Sequence, residues 1–286
     1  MITLTSDFGS PYPAAMKGVL YQRTDTRLVD IAHDFPRGDI RTAAFWLRET
    51  LPYYPPATNL VVVDPGVGTD RRAIVFRAGE HALVGPDNGV LLPPARALVN
   101  ATEGPLEAFE IDESATESDL LDIPHTPVEI PHTPEPTDER PPSGRSTTFH
   151  GRDIFAPAAA AVHETPPDRL GSLEGLAPID SIDSLVDYKL PTAAIDSDPP
   201  RARGEVLVVD DFGNVITNVP GEFIADRESI DANGERVPVG TTFASVRTGE
   251  QLATVGSHGY VELDVNDGRG DDAYDLGSGD GVLLEP

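Results

Sequence analysis

Asn59-Leu60-Val61-Val62-Val63-Asp64 is the stretch on which the fold turns. Its middle is apolar without alternation, and continuous runs of this length fit strands buried on both faces of a parallel sheet. Working outward, residues 2–5 and 28–32 form two more short apolar strands, and residues 73–77 and 82–84 two others. Asp39 is placed to cap a helix in which Ile40, Ala43, Ala44, Leu47 and Leu51 recur at helical spacing. The alternation predicts an α/β N-terminal domain whose mostly parallel sheet is sandwiched by helices. Ligands of such sheets bind beyond the carboxyl ends of strands. Here those positions are held by Thr5-Ser6-Asp7 and Val63-Asp64-Pro65-Gly66.

Composition shifts at residues 110–145, where carboxylates and then prolines crowd and Ile-Pro-His-Thr-Pro occurs twice. Proline removes backbone donors and like charges repel, so a flexible acidic, proline-rich insertion is expected. Its His125 and His132 read as solvated loop residues rather than a metal pair. An alanine-rich helix follows over 154–164. The expected division is an N-terminal domain over 1–170, a linker over 171–200 and a C-terminal β domain over 201–286. In the last, residues 205–209, 215–217, 242–246, 252–255, 260–265 and 282–284 read as strands between Gly, Asn and Asp turns. That spacing predicts a small all-β barrel or sandwich.

The 286 residues include no cysteine, which excludes disulfides and a cysteine nucleophile. No apolar run approaches the roughly 20 residues of a membrane span. The opening residues read directly as a strand rather than a leader, so a cytoplasmic protein is expected. Net charge is −27, from 21 basic and 48 acidic residues. Such a field repels phosphates, so neither nucleic acid nor an anionic membrane is an expected partner. At molar salt the Debye length is about 3 Å and self-repulsion is screened. The composition thus fits a halophile's protein that needs salt for stability.

Polar residues gather where strands end. Asp7 can accept hydrogen bonds from a vicinal diol, although Asp-Phe-Gly is also an ordinary turn. Asp64-Pro65-Gly66-Val67-Gly68-Thr69-Asp70-Arg71-Arg72 sets a carboxylate before a tight turn and two guanidiniums. The turn can fold Arg71 back toward Asp64, and spacing alone favours a salt bridge that pins the loop. His150 can move a proton near neutrality or simply open the helix, and Gly151 after it would let a ligand approach the backbone. Asp87-Asn88-Gly89 reads as a β-turn without chemistry. Asp210-Asp211-Phe212-Gly213-Asn214 has the Asp-Phe-Gly triplet of kinases without their glycine-rich or His-Arg-Asp loops. It offers an aromatic face, an amide and a carboxylate that suit a purine and a cation. Ser257-His258-Gly259-Tyr260 forms another turn in the same region.

Taken in order with Met16-Lys17-Gly18-Val19, Gly85-Pro86-Asp87-Asn88-Gly89 and Thr148-Phe149-His150-Gly151-Arg152-Asp153, these segments resemble the S-adenosylmethionine hydroxide adenosyltransferases, relatives of the fluorinases and chlorinases. The resemblance implies an Asp64, Arg71 and His150 water-handling set, Arg71 rather than Arg72 falling at the family spacing. It implies Asp7 on the ribose hydroxyls, Asp210 on the methionine ammonium, Phe212 and Asn214 on the adenine, and Ser257 on the methionine carboxylate. It further implies hydrolysis to adenosine and methionine with neither cofactor nor metal, in a homotrimer whose active sites lie between subunits. Halogenating relatives carry an aromatic residue where Asp64 stands, which favours hydroxide over halide transfer. The alternatives are a halogenase forming 5′-chloro- or 5′-fluoroadenosine, and a non-catalytic sensor of the same ligand. Arg37 and Gly38 depart from the family's aromatic turn, and His258 stands where some relatives have arginine.

Overall fold

The computed structural model describes residues 1–113 and 148–286, in two units, Met1–Tyr188 and Lys189–Pro286. The predicted insertion, with His125 and His132, lies almost wholly outside the described residues.

The first unit runs β1 (Ile2–Ser6), α1 (Tyr12–Tyr21), β2 (Leu28–Ala32), α2 (Ile40–Thr50), β3 (Thr58–Val62), β4 (Ala73–Ala78), β5 (His81–Pro86), α3 (Leu92–Thr102), β6 (Leu106–Ile111), α4 (Ala156–Glu164) and β7 (Leu176–Pro178). The sheet order is β2-β1-β3-β5-β4-β6-β7. The run at 59–64 behaves as its composition requires. Leu60 and Val62 enter one core, shared with α1 and α4, and Val61 and Val63 enter another, shared with α2 and α3. Asp39 caps α2 by accepting from the Thr42 N–H at 3.0 Å.

The expectation of a mostly parallel sheet needs correction. β2, β1, β3 and β5 are parallel, but β4 pairs antiparallel with β5 and β6, and β6 with β7. The cause is local. Only Gly79 and Glu80 join β4 to β5, whereas a parallel crossover needs a dozen residues or more. Gly79, at φ +63°, makes the reversal possible.

The stretch 171–188 is part of the first unit rather than a free linker. β7 extends the sheet, Leu185 is buried in the α2–α3 core, and Asp187 accepts from both Arg96 amino groups at 2.8 and 2.9 Å.

The second unit comprises β8 (Ala194–Ser197), β9 (Pro200–Val209), β10 (Val215–Pro220), β11 (Ser229–Ala232), β12 (Glu235–Pro238), β13 (Gln251–Val255), β14 (Tyr260–Val265), α5 (Gly270–Tyr274) and β15 (Gly281–Glu285). These strands pair antiparallel in the order β12-β11-β15-β9-β10-β14-β13, with β8 on β9. A bridge from Val239 to Ala253 draws the ends together, so the sheet nearly closes around Val206, Val215, Ile230, Val261 and Leu284. The strand expected at 242–246 is instead a single 3-10 turn, Phe243–Ser245. Thr242 and Ser245 cap it reciprocally, and that local bonding outweighs the strand preference of Thr242, Phe243 and Val246. Among the described residues no helix is long and apolar enough to cross a membrane.

Candidate active site

β3 delivers its last apolar residues into the sheet, and Asp64 follows just past its carboxyl end. Two successive turns then reverse the chain: the Val67 N–H donates to the Asp64 carbonyl at 3.3 Å and the Thr69 N–H to that of Gly66 at 3.1 Å. The reversal returns Arg71 to Asp64. Its Nε donates to Oδ1 at 3.0 Å and one amino group to Oδ2 at 2.5 Å, with side chains 8% and 5% exposed. The same amino group donates to His150 Nδ1 at 2.7 Å. Beneath it, the guanidinium lies 5.0 Å from the Phe155 ring centroid, close enough for attraction to the ring face. On the outer side it reaches Glu113 at 3.4 Å.

His150 opens the helix, which begins with a π turn over Gly151–Phe155 before α4. The wider turn sits where the imidazole meets Arg71, a placement common for such turns at functional sites. Burial, and then the charge of Arg71, hold the imidazole below its ordinary pKa. Arg71 only donates, so the bonded Nδ1 is unprotonated and the neutral ring carries its hydrogen on Nε2. Gly151 lines the same cavity as His150 and also has a packing role. A Cβ there would meet Met16 Sδ at 2.9 Å and Val62 at 3.1 Å, so glycine lets the helix start pack on β3.

Asp64 and His150 share a cavity of about 610 Å³ with Asp7, Tyr12, Arg37 and Phe149. Asp7 follows β1, and its Oδ2 accepts from the Gly38 N–H at 2.6 Å. Phe8, Tyr12 and Phe149 meet edge to face with centroids 5.3 to 6.0 Å apart. Arg72 stands outside the set. It binds Asp87 at 2.9 Å and the Ser184 carbonyl at 2.7 Å, tying the sheet to the 171–188 segment. Asn88 likewise serves structure, donating to the Val63 carbonyl at 2.8 Å.

The remaining candidates lie in the second unit. Asp210 Oδ1 accepts from the Phe212 and Asn214 N–H groups, each at 2.9 Å, and Oδ2 from the Asn214 amide at 3.0 Å. Gly213 (φ +88°) closes this β9–β10 loop against Arg269, which a Cβ would strike at 2.8 Å. Phe212 is left 78% exposed. Ser257 is exposed in the β13–β14 turn. Sequence reading put this turn in the same region as the Asp210 loop. The register places them at opposite ends of the β10–β14 ladder, since Val215 pairs with Leu263 and Pro220 with Tyr260. Tyr12, Arg37 and Glu113 join the site without having been singled out for chemistry. None lies in a motif of chemical residues, and only the folded chain shows their proximity.

An α/β unit whose cavity is lined by a carboxylate and an imidazole that share one guanidinium, followed by a small β unit, defines a two-unit α/β-plus-β class. Models of the SAM hydroxide adenosyltransferase N-terminal and C-terminal domains match residues 2–171 and 204–283, and the chain belongs to that family. It is 38% identical to an (R)-S-adenosyl-L-methionine hydrolase of Salinispora tropica, over 98% of this chain and 95% of that protein. It is also 38% identical to one of Thermus thermophilus, over 98% and 97%. A crystal structure of an uncharacterized conserved protein from Thermotoga maritima superposes with a TM-score of 0.75 at 28% identity, covering 99% of this chain and 100% of that one.

Proposed function

We propose that the protein hydrolyses S-adenosyl-L-methionine to adenosine and L-methionine, with water attacking ribose C5′ in line with the C–S bond. The observation that carries this reading is the Arg71 guanidinium bonded at once to Asp64 and His150, which both line a cavity of nucleoside size.

Departure of the sulfonium as a neutral thioether annihilates charge when the nucleophile is anionic, so a dry cavity favours the step. Water, with a pKa of about 15.7, cannot be held as hydroxide by a carboxylate near 4. The proton therefore leaves as the C–O bond forms. With Nδ1 engaged by Arg71 and Nε2 carrying hydrogen, His150 orients the water by donating to its oxygen. Asp64 accepts the proton, its spare lone pairs facing the cavity. Arg71 supplies the positive field that steadies both Asp64 and the developing hydroxide, so the step calls for no metal or cofactor. Asp7 holds the ribose diol through the oxygen that Gly38 leaves free.

Asp210 takes the methionine ammonium, and Phe212 and Asn214 the adenine; with the Ser257 turn at the other end of the β10–β14 ladder, the register lends no support to Ser257 on the carboxylate of the same amino acid. The exposed Phe212 ring supports a homotrimer whose neighbouring copy covers it, with active sites between subunits and the C-terminal sheet closed as a small barrel. The cysteine-free chain suits the cytoplasm.

The test is incubation with each sulfonium epimer in high chloride, with and without EDTA, followed by chromatography. Adenosine and methionine in equal amounts, unaffected by EDTA, are the expected products. The curated relatives' names specify the R epimer, so that arm is expected to be faster. 5′-Chloroadenosine would establish halide transfer instead, and calorimetric binding without product would establish a sensor.

A further inference from the structure

We infer that His33 is a positioning residue for Asp7, the centre of a relay running from Lys17 and Asp30 at the surface through His33 to the buried Ser6, behind the nucleoside cavity. The inference rests on the reading of Asp7 as the ribose ligand and extends it to residues outside the cavity.

Ser6 ends β1 and has no solvent exposure, and Asp7 is the next residue. Ser6 lies on the β1 face that carries Ile2 and Leu4 into the core, where an apolar side chain would need no partner. Its hydroxyl instead meets His33 Nδ1 at 2.7 Å. On the other side of the ring, Nε2 meets Asp30 Oδ1 at 3.0 Å, and Lys17 on α1 donates to Asp30 Oδ2 at 2.6 Å. One arrangement satisfies every atom: Ser6 donates to Nδ1, Nε2–H donates to Asp30, and the ammonium holds the far carboxylate oxygen.

The backbone is shaped for this contact. Residues three apart on a regular strand point to opposite faces. The β1–β2 register steps from Leu4↔Asp30 to Thr5↔Ala32, so Ile31 is an extra residue. Bulges of this kind re-aim side chains beside active sites, and this one lets Asp30 and His33 meet.

His33 also brackets Asp7 along the chain. Its ring holds the residue before Asp7, and its carbonyl accepts the Gly9 N–H two residues after, at 2.8 Å. The segment leaving His33 leads to Gly38, whose N–H holds Asp7 Oδ2. Of the turn that must present one carboxylate oxygen to a diol, both ends are therefore set by a single histidine. Ligand geometry of this kind depends on supporting bonds behind the contact residue.

The experiment measures calorimetric affinity for adenosine and for 2′,3′-dideoxyadenosine, which lacks the diol. Wild type is compared with Ser6→Ala, His33→Ala, Asp7→Ala and the Ser6→Ala/Asp7→Ala double variant. Ser6→Ala and His33→Ala are expected to weaken adenosine by about tenfold, the worth of one well-placed hydrogen bond. They should leave the dideoxy compound unchanged, and the double variant should bind adenosine no worse than Asp7→Ala. Equal weakening of both nucleosides, or no change in either, overturns the positioning role, because a general packing defect does not distinguish a diol. Should His33→Ala fail to fold, Ser6→Ala and Asp30→Asn carry the same comparison. If Asp7→Ala itself weakens both nucleosides alike, the ribose reading falls and takes this one with it. If Asp7→Ala discriminates and Ser6→Ala does not, only the positioning role falls.

Discussion

Replacing Asp64 by Asn and His150 by Gln should have unequal consequences, because the hydrogen-bond directions assign the two residues different work. Asp64→Asn keeps shape and one acceptor oxygen but removes the carboxylate that lines the cavity beside Arg71. Loss of a proton acceptor costs about 100- to 10,000-fold in turnover, or roughly 3–5 kcal/mol of barrier. The buried guanidinium also loses its charged partner, so the variant should be less stable. His150→Gln removes the imidazole but keeps an amide N–H that can reach where Nε2–H points. If the ring only donates, its truncation to Ala forfeits one hydrogen bond to a charged oxygen, about 1.5–3 kcal/mol, and Gln should regain part of it. The expected order of single-turnover rates, followed as adenosine release by chromatography, is wild type, His150→Gln, His150→Ala, Asp64→Asn. A His150→Gln enzyme as impaired as Asp64→Asn would refute the argument, since it would make the imidazole the base. Near-normal turnover in Asp64→Asn would remove the carboxylate from the mechanism altogether.

The lowered pKa of His150 places the acid limb of kcat/KM below the usual histidine value of about 6.5; a limb above it would contradict the neutral ring. The same shift means the unfolded chain binds this proton first, so stability should fall as pH drops from about 6.5 through the native pKa, as read by urea unfolding at each pH. Phe212→Ala, at a ring 78% exposed, should raise KM and shift any oligomer toward smaller species in light scattering, with the first unit's stability unchanged. Mixing Phe212→Ala and His150→Ala chains should give more activity than either variant alone if sites are shared, and no gain would argue for sites within one chain. With a net charge of −27, the thermal midpoint should rise from dilute buffer to molar potassium chloride; a salt-independent midpoint would oppose the halophilic reading.

How much of this was legible depended on the range of each interaction. β3 was readable because both its faces are buried, so every residue from Leu60 to Val63 had to be apolar. The α2 cap was readable because Asp39 and Thr42 are neighbours. α3 was not, since Pro93 and Pro94 look like breakers although they fall in its first turn, where no N–H is required. The Asp64–Arg71 contact spans seven residues and a recognisable turn, so spacing could raise it. His150 stands 79 residues from Arg71, and only the resemblance connected them. Glu113 and Tyr12 carried no signal, because a carboxylate among 48 acids and a tyrosine beside prolines acquire meaning only through what folds against them. The relay through His33 was hidden by the bulge at Ile31, which strand periodicity cannot show.

Four aspartates illustrate why composition alone could not assign roles. Asp64, the proposed proton acceptor, faces a guanidinium that lies almost wholly out of water. Asp7 is held by one backbone N–H and keeps an oxygen for a neutral hydroxyl donor. Asp210 collects two N–H groups and an amide from its own loop, which fixes a negative charge with no cation spent on it. Asp264, fully buried on β14, has only the Thr254 hydroxyl at 2.7 Å for company, and burial pushes its carboxyl up to about 7. The same side chain is thus the proposed base in Asp64, the proposed diol acceptor in Asp7, a loop-closing acceptor in Asp210 and an acid half neutral at physiological pH in Asp264. Only the Asp264 environment, with Glu262 and Asp210 as its charged neighbours, adds negative charge rather than relieving it. Burial and like charge therefore push the Asp264 carboxyl in the same direction, and the single Thr254 hydroxyl opposes them without reversing the result.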